Sequence, residues 1–184
     1  MTSRWKIVQA TRALKQGGVI IYPTESIFGI GCDAADLAAV NRLLDLKQRS
    51  FNKGLILLVS DISQIERYIQ PLTSQQLALI NGPQPRATTW LLAAQKHVSP
   101  LIKGLHPKLA VRITRHPIAK ALCQQLGNPI VSTSCNKSGK PVSVNAAFSR
   151  NHWLRQVDHV IAGECGGQPA SQIIDLESGK VIRN

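Results

Sequence analysis

Amphipathic helical segments and short β-branched runs alternate along this chain, and that order strongly limits how it can fold. The apolar spacing of Ile7, Thr11 and Leu14 predicts a helix over residues 3–16, which a pair of glycines ends. A strand is predicted next, over 19–22, and a proline ends it. Because alternating helices and strands bury their apolar faces by packing helices onto a sheet, the sequence predicts an α/β fold.

The same alternation continues through the rest of the sequence. Asp36 is placed to cap a helix whose apolar periodicity fades near Lys47, and residues 55–59 form an apolar strand of the buried type. Residues 134–145, rich in Gly, Pro, Ser and Lys, are predicted to form a loop. Further helices are predicted over 61–68, 73–80 and 116–126, and further strands over 88–93, 109–114, 129–133, 157–162 and 172–176.

The length of 184 residues fits one domain, so we expect a single domain over 1–184. The apolar runs are too short to span a bilayer, and the first residues lack the apolar core of a signal peptide. We therefore expect a cytoplasmic protein without a membrane partner.

Positive charge is concentrated in one interval of the chain. The net charge is +12, and residues 67–157 hold 12 basic residues and no acid. A field of this sign attracts polyanions such as nucleic acids and nucleotide phosphates, although a basic surface that serves only solubility is the alternative. With only eight aromatic residues, a stacking platform for single-stranded nucleic acid is poorly supplied.

The spacing of the cysteines argues against two kinds of site. The four cysteines form no C-x-x-C pair, and no histidine stands at metal-ligand spacing from them. The sequence therefore predicts neither a zinc site nor a redox motif, and it offers no protein-held metal site.

Lys47 and Arg49 can act on one anion only if the helix ends near Lys47, because residues two apart on a helix point in different directions. Arginine offers a planar fork to phosphate oxygens and lysine a mobile point charge, so the pair suits a polyphosphate. Alternatively, the two cations only complement the dipole at the end of a helix.

Ser132, Ser134 and Asn136 share one side of the chain at the carboxyl end of the strand predicted over 129–133. The carboxyl edge of an α/β sheet is where ligands usually bind, so these groups are candidates for phosphate or ribose oxygens. A turn that only caps itself is the alternative. The lysines of 137–140 lack the spacing of a Walker loop.

Thr24 lies in a second such segment, where Y-P-T-E at 22–25 leads into F-G-I-G at 28–31. We interpret this whole segment as a turn at the carboxyl end of a strand, whose glycines allow a ligand to approach the backbone closely. Ser171 lies in a further glycine-rich turn, just before the strand over 172–176.

Arg112 interrupts an apolar, β-branched run, where a buried cation needs a fixed anion. That anion is either a protein carboxylate or the carboxylate of a ligand, and the scarcity of acids favours the ligand. Exposure on an outward strand face is the alternative.

Together these segments resemble the YrdC-like family, whose members make threonylcarbamoyl-AMP for the tRNA modification t6A. The resemblance covers nearly the whole chain, and its most specific part is K-x-R at 47–49 with S-x-N at 134–136. It implies a YrdC-like fold with a twisted mixed sheet, covering helices and a positively charged cavity. The other matching segments are Y-P-T-E, F-G-I-G, K-G-L at 53–55, L-A-V-R at 109–112, H-P at 116–117, S-G at 138–139 and G-E-C-G-G at 163–167.

The resemblance implies that L-threonine, bicarbonate and ATP react to give threonylcarbamoyl-AMP and pyrophosphate, with Mg²⁺ as the counter-ion of ATP. By similarity, threonine binds Thr24, Arg112 and Ser171. Catalysis by similarity involves Lys47, Arg49, Ser134 and Asn136. The same comparison assigns the nucleotide and its phosphates to Lys47, Arg49, Lys53, Ser132, Ser134 and Asn136.

This chain departs from the family pattern at three places. Gln84-Pro-Arg-Ala-Thr-Thr89 replaces the usual W-P-G-P-x-T, so Arg86 stands where glycine is usual. Cys135 replaces an alanine, and Cys165 replaces the threonine of G-E-T-G-G.

The resemblance also implies tRNA or double-stranded RNA as a partner of the basic face, together with the proteins of a t6A transferase complex. The alternative function is a non-catalytic module that binds double-stranded RNA or tRNA during RNA maturation.

Overall fold

Nine strands in the described part of the chain form one mixed sheet. The computed structural model describes residues 4–136, 153 and 155–184. In chain order the strands are β1 (Ile20–Pro23), β2 (Phe28–Asp33), β3 (Ile56–Val59), β4 (Thr88–Ala93), β5 (Lys108–Ile113), β6 (Ile130–Ser134), β7 (His159–Val160), β8 (Gln172–Asp175) and β9 (Val181–Arg183). Their spatial order is β7-β1-β2-β6-β3-β5-β4-β8-β9. The pairs β1–β7, β3–β5 and β4–β8 are parallel and the other pairs are antiparallel, which confirms the predicted mixed sheet.

Helices connect these strands in the predicted alternation. They are α1 (Arg4–Lys15), α2 (Leu37–Lys47), α3 (Ser74–Asn81), α4 (Pro100–Lys103) and α5 (Pro117–Leu126), with 3-10 turns at Phe51–Lys53 and Ile62–Tyr68. The segment predicted as a helix over 61–68 is thus a 3-10 helix. Among the residues that the structure describes, no helix has the length and apolar character needed to cross a membrane.

The sheet separates two apolar cores. Along β1, Ile20 and Tyr22 pack with Leu14 of α1 and Leu122 of α5. The alternate residue Ile21 belongs to the other core, which includes the buried face of α2. This alternation follows from the period of two along a strand and places helices on both faces.

The interpretation of residues 28–31 as a turn is wrong, because they begin strand β2. Gly31 pairs with Ile20 of β1 and with Ser132 of β6, so β2 lies between two strands. The two glycines weaken the strand signal in the sequence. A Cβ atom on Gly31 would lie 2.2 Å from the carbonyl oxygen of Val131, so close strand approach explains this glycine. Helix α4 and strand β9 also lie outside the sequence predictions.

We expect Gly31→Ala to lower the free energy of unfolding by about 1–3 kcal/mol, because the added methyl meets rigid backbone. Gly29→Ala is the matched control on the same strand, since its Cβ would meet only side-chain atoms, the nearest at 3.3 Å. Urea unfolding measures both variants. An equal or smaller loss for Gly31→Ala would contradict the close approach of β2 and β6.

Candidate active site

A cavity of about 440 Å³ opens beside the ends of β2 and β6. This volume lies within the usual range for small-molecule sites, ~300–1,000 Å³. Three arginines line it, and no acidic side chain does so among the described residues. Its lining includes Gly29 and the polar residues Thr24, Arg49, Arg112, Ser132, Ser134, Ser171 and Arg183.

The serines of β6 form one wall of this cavity. Ser132 pairs with Gly31 and Ser134 with Gly29 across the β2–β6 ladder, so the two serines share a face of the sheet. The Tyr22 hydroxyl donates to Ser132 Oγ at 2.7 Å, which leaves the proton of Ser132 available to another acceptor. Ser134 Oγ donates to Asn136 Oδ1 at 2.6 Å. The residues predicted as a polar row are therefore brought together.

Helix α2 ends where Lys47 and Arg49 need it to end. Asp36 caps the helix start by accepting from the N–H groups of Ala38 and Ala39. At the other end Gln48 adopts a left-handed conformation with φ 48°, which stops the helix directly after Lys47. The helix therefore ends near Lys47, as the sequence analysis required for Lys47 and Arg49 to act on one anion.

Lys47 is buried and binds the end of β6. Its Nζ donates to the carbonyl oxygen of Ser134 at 2.5 Å and to the carbonyl oxygen of Asn136. Burial lowers the pKa of Lys47 to about 8, Cys135 opposes this shift, and the nearby charge of Arg49 adds to it. Lys47 and Asn136 thus lie at the edge of the cavity, attached to Ser134.

Arg49 lines the cavity itself. One terminal nitrogen donates to the carbonyl oxygen of Gly54 at 2.9 Å, which holds the guanidinium in place. Its Nε is buried and has no hydrogen-bond partner within the described residues. Lys53 lies on the exposed 3-10 turn and outside the lining of the cavity as described, so its role stays a prediction.

The anion that neutralises Arg112 is a carboxylate of the protein, which corrects the inference from the scarcity of acids. One terminal nitrogen of Arg112 lies 2.7 Å from Glu25 Oε2, and only about 10% of each side chain is exposed. The two residues are far apart in sequence and meet because β1, β2 and β5 belong to one sheet. Arg112 Nε is buried without a hydrogen-bond partner in the described chain, so part of its donor set is unused by the protein.

Glu25 lies beside the cavity and is held by several hydrogen bonds. Its Oε1 accepts from the Thr114 hydroxyl at 2.9 Å and from the N–H of Arg115 at 2.8 Å. Burial alone would raise the pKa of this carboxyl, but Arg112 and these hydrogen bonds outweigh burial and hold the pKa below its ordinary value.

The glycine-rich turn after β7 is fastened to the Thr24 segment. Gly166 N donates to the carbonyl oxygen of Thr24 at 3.0 Å, and Gln168 N donates to that of Glu25, also at 3.0 Å. His116 Nε2 lies 3.0 Å from the carbonyl oxygen of Glu164. The Thr24 hydroxyl donates to the carbonyl oxygen of Ile27, so it shapes its own turn.

Ser171 and Arg183 complete the opposite wall. Ser171 is buried, and its hydroxyl lies 2.8 Å from the Thr89 hydroxyl. Arg183 of β9 donates to the carbonyl oxygen of Ser171 at 2.8 Å. Sequence reasoning missed Arg183, because its short exposed strand carries no pattern that marks a site.

We expect Glu25→Gln to lower the free energy of unfolding at pH 7 by about 3–5 kcal/mol, because it leaves Arg112 charged and buried without its anion. The stabilising effect of Glu25 is complete above its ordinary pKa of 4.5 and is lost as the pH falls through its lowered folded-state pKa. Urea unfolding at neutral and acid pH measures this difference, which should shrink in acid.

Glu66→Gln is the matched control, because Glu66 is exposed. Its effect should stay within about 0.5 kcal/mol. An equal effect of the two variants would contradict the assigned role of Glu25.

Curated relatives match this chain over nearly its full length. A threonylcarbamoyl-AMP synthase of Nitrosococcus oceani is 39% identical over 180 residues, which cover 97% of each chain. One from Stutzerimonas stutzeri is 39% identical over 184 residues, covering 100% of this chain and 99% of the relative.

Solved structures share the fold. P. abyssi Sua5 complexed with L-threonine has a TM-score of 0.86 and 29% identity, and the match covers 97% of this chain and 53% of that one. The family model Sua5_yciO_yrdC, described as "Telomere recombination", matches residues 12–184. Because that match spans nearly all of the sequence, the chain belongs to the Sua5/YciO/YrdC family.

Proposed function

We propose that this chain is a threonylcarbamoyl-AMP synthase, which makes L-threonylcarbamoyladenylate and pyrophosphate from L-threonine, bicarbonate and ATP. The observation that carries the proposal is the single cavity in which three arginines face the serines of β6. Such a cavity supplies positive charge and hydrogen-bond donors to phosphate oxygens. The curated relatives that match the full length of the chain carry the same activity in their names.

The nucleotide occupies the side of the cavity formed by β6 and the end of α2. Arg49 and Lys47 neutralise the phosphates, and the Ser132 hydroxyl donates to a phosphate or ribose oxygen. Ser134 Oγ gives its proton to Asn136, so towards the nucleotide it accepts a hydrogen bond from a ribose hydroxyl. Asn136 orients Ser134 through the hydrogen bond between their side chains. Lys53, on the neighbouring exposed turn, is the most peripheral of the proposed phosphate contacts.

Threonine occupies the side formed by Thr24, Arg112 and Ser171. Arg112 is fixed by Glu25 on one edge of its guanidinium, and its remaining donors hold the substrate carboxylate. Ser171, fixed by Thr89 and Arg183, contacts the polar part of the threonine. Solved P. abyssi Sua5 in complex with L-threonine supports a threonine site in this fold.

The reaction needs positioning and charge stabilisation more than a nucleophilic side chain. The threonine amine adds to bicarbonate with loss of water and gives a carbamate. A carbamate oxygen then bonds to the α-phosphorus while the bond between the α-phosphorus and the bridging oxygen breaks, and pyrophosphate leaves. Lys47 and Arg49 stabilise the charge that develops on the leaving group.

Magnesium enters as part of the substrate, MgATP. The described lining of the cavity contains no carboxylate, and the neighbouring Glu25 is occupied by Arg112 and Thr114. The phosphates and water, rather than protein side chains, therefore hold the ion.

The product serves the tRNA modification t6A in the cytoplasm, where proteins of a transferase complex pass the threonylcarbamoyl group to tRNA. The exposed basic residues that the structure describes within the acid-free interval 67–157 are proposed to meet tRNA or double-stranded RNA, because their charge attracts polyanions.

We expect pyrophosphate release from MgATP to require both L-threonine and bicarbonate, and to fall by ~100-fold or more in Lys47→Ala and in Ser134→Ala. Removing either group takes away charge or a hydrogen bond that stabilises the transition state. An enzyme-coupled pyrophosphate assay, with each co-substrate omitted in turn, measures the effect.

Lys6→Ala is the control for Lys47→Ala, because Lys6 is an exposed lysine on α1. Release that is absent, or indifferent to threonine, would overturn the enzyme proposal. A tRNA titration in which all exposed lysines contribute equally would then favour the non-catalytic RNA-binding function.

We expect the affinity for a non-hydrolysable ATP analogue to weaken as the pH rises through about 8, because Lys47 loses its proton there. Equilibrium titrations across pH 6–10, on the order of one point per half unit, measure this loss of affinity with rising pH. Lys47→Arg keeps its charge over the whole range, so the affinity of this variant should not fall as the pH rises through about 8. If the affinity of this variant falls with rising pH as in the wild type, the titrating group is not Lys47.

A further inference from the structure

A second cavity, of about 250 Å³, adjoins the candidate active site. Glu25 lines this second cavity, whereas its ion-pair partner Arg112 lines the active-site cavity. Gln168 lines both. The wall between the two cavities is therefore built around the Glu25–Arg112 pair.

The second cavity carries a surplus of positive charge. Arg86, Arg115 and Lys120 line it, and Glu25 is the one acid among its described lining residues. The charge of Glu25 is already neutralised by Arg112. None of the three cations forms an ion pair in the described part of the chain. The pKa of the nearby Asp61 is lowered chiefly by its hydrogen bonds with Ser63, and the charge of Lys120 adds to this.

The two arginines are held in place without being neutralised. Arg86 donates to the carbonyl oxygen of Ala170 at 3.1 Å, and Arg115 donates to that of Gly82 at 3.3 Å. Carbonyl oxygens fix the guanidinium groups but leave their formal charges uncompensated. Arg86 Nε is also buried and has no partner within the described residues, so this donor is left for a ligand.

We propose that this cavity is a second anion site, which takes a phosphate group. Arginine forks match the geometry of phosphate oxygens, and Lys120 adds a point charge beside them. The cavity is smaller than the ~300–1,000 Å³ of sites for drug-sized ligands, which fits a phosphate group better than a whole nucleotide. Arg86, which stands where glycine is usual in the family pattern, makes the site a feature of this chain.

The phosphate group has two sources, a free phosphate ion or the backbone of an RNA strand. Both offer the same oxygens to Arg86, Arg115 and Lys120. Most residues that line the cavity belong to the acid-free interval 67–157, so phosphate from either source is attracted to it.

Titration of the full chain with inorganic phosphate, followed by calorimetry or ³¹P NMR, tests the proposal. We expect a binding event at this cavity that weakens by roughly tenfold in Arg115→Ala and in Arg86→Gly, because each variant removes charged hydrogen bonds. Lys120→Ala should weaken phosphate binding less, because Lys120 contributes only a point charge on an exposed side chain. Lys96→Ala, an exposed lysine outside the cavity, should leave it unchanged.

Arg49→Ala separates this site from the active-site cavity. The event should survive in Arg49→Ala. If it is lost there and persists in the Arg86→Gly/Arg115→Ala double variant, the phosphate belongs to the active-site cavity and the proposal fails. Absence of binding to the wild-type chain at millimolar phosphate also overturns it, and thermal unfolding confirms that each variant is folded.

A short RNA hairpin added to the phosphate-saturated protein distinguishes the two sources. If RNA displaces the phosphate whose binding depends on Arg86 and Arg115, the backbone of an RNA strand is identified as the occupant. Phosphate that stays bound in the presence of RNA identifies the free ion. Either result supports the site, and pyrophosphate release, which reports on the other cavity, is assayed separately.

Discussion

The buried ion pair between Glu25 and Arg112 is the interaction on which the candidate site depends. It joins the turn between β1 and β2 to β5, and the backbone of the same turn accepts hydrogen bonds from Gly166 and Gln168. The pair therefore fixes the position of both the strand arginine and the glycine-rich turn. A buried ion pair is weak evidence for net stability, because desolvation offsets much of the attraction. Its value here is geometric, since Arg112 is held with donors to spare.

The same pair lies between two cavities, each lined by three basic side chains. An acid placed in either cavity without a partner would repel anions there. Because Arg112 and Thr114 occupy the carboxylate of Glu25, this acid adds structure without removing the positive field on either side. The field comes from side chains that are fixed by backbone carbonyls, such as Arg49 on Gly54 and Arg86 on Ala170.

Periodicity and capping predicted most of the fold. The sequence predictions failed where packing overrides the local pattern. Asp36 and the fading periodicity near Lys47 located α2 correctly, because caps and helix ends are local. Strand β2 was missed because the glycine at position 31 is explained by its close contact with Val131, a residue far away in the sequence. The partner of Arg112 and the role of Arg183 were missed for the same reason, since contacts across a sheet leave no trace in either strand. The K-x-R and S-x-N motifs, in contrast, are marked by residue type and spacing alone.

Tyr22 sets the polarity of the cavity wall. Burial raises the pKa of its phenol far above the ordinary value, so the group keeps its proton and donates to Ser132 throughout the physiological range. Ser132 is thereby turned into a donor toward the cavity, in company with arginines that can only donate. A wall of this kind offers hydrogen-bond donors and positive charge, so it favours ligands rich in acceptor oxygens, such as carboxylates and phosphates, over cations such as polyamines.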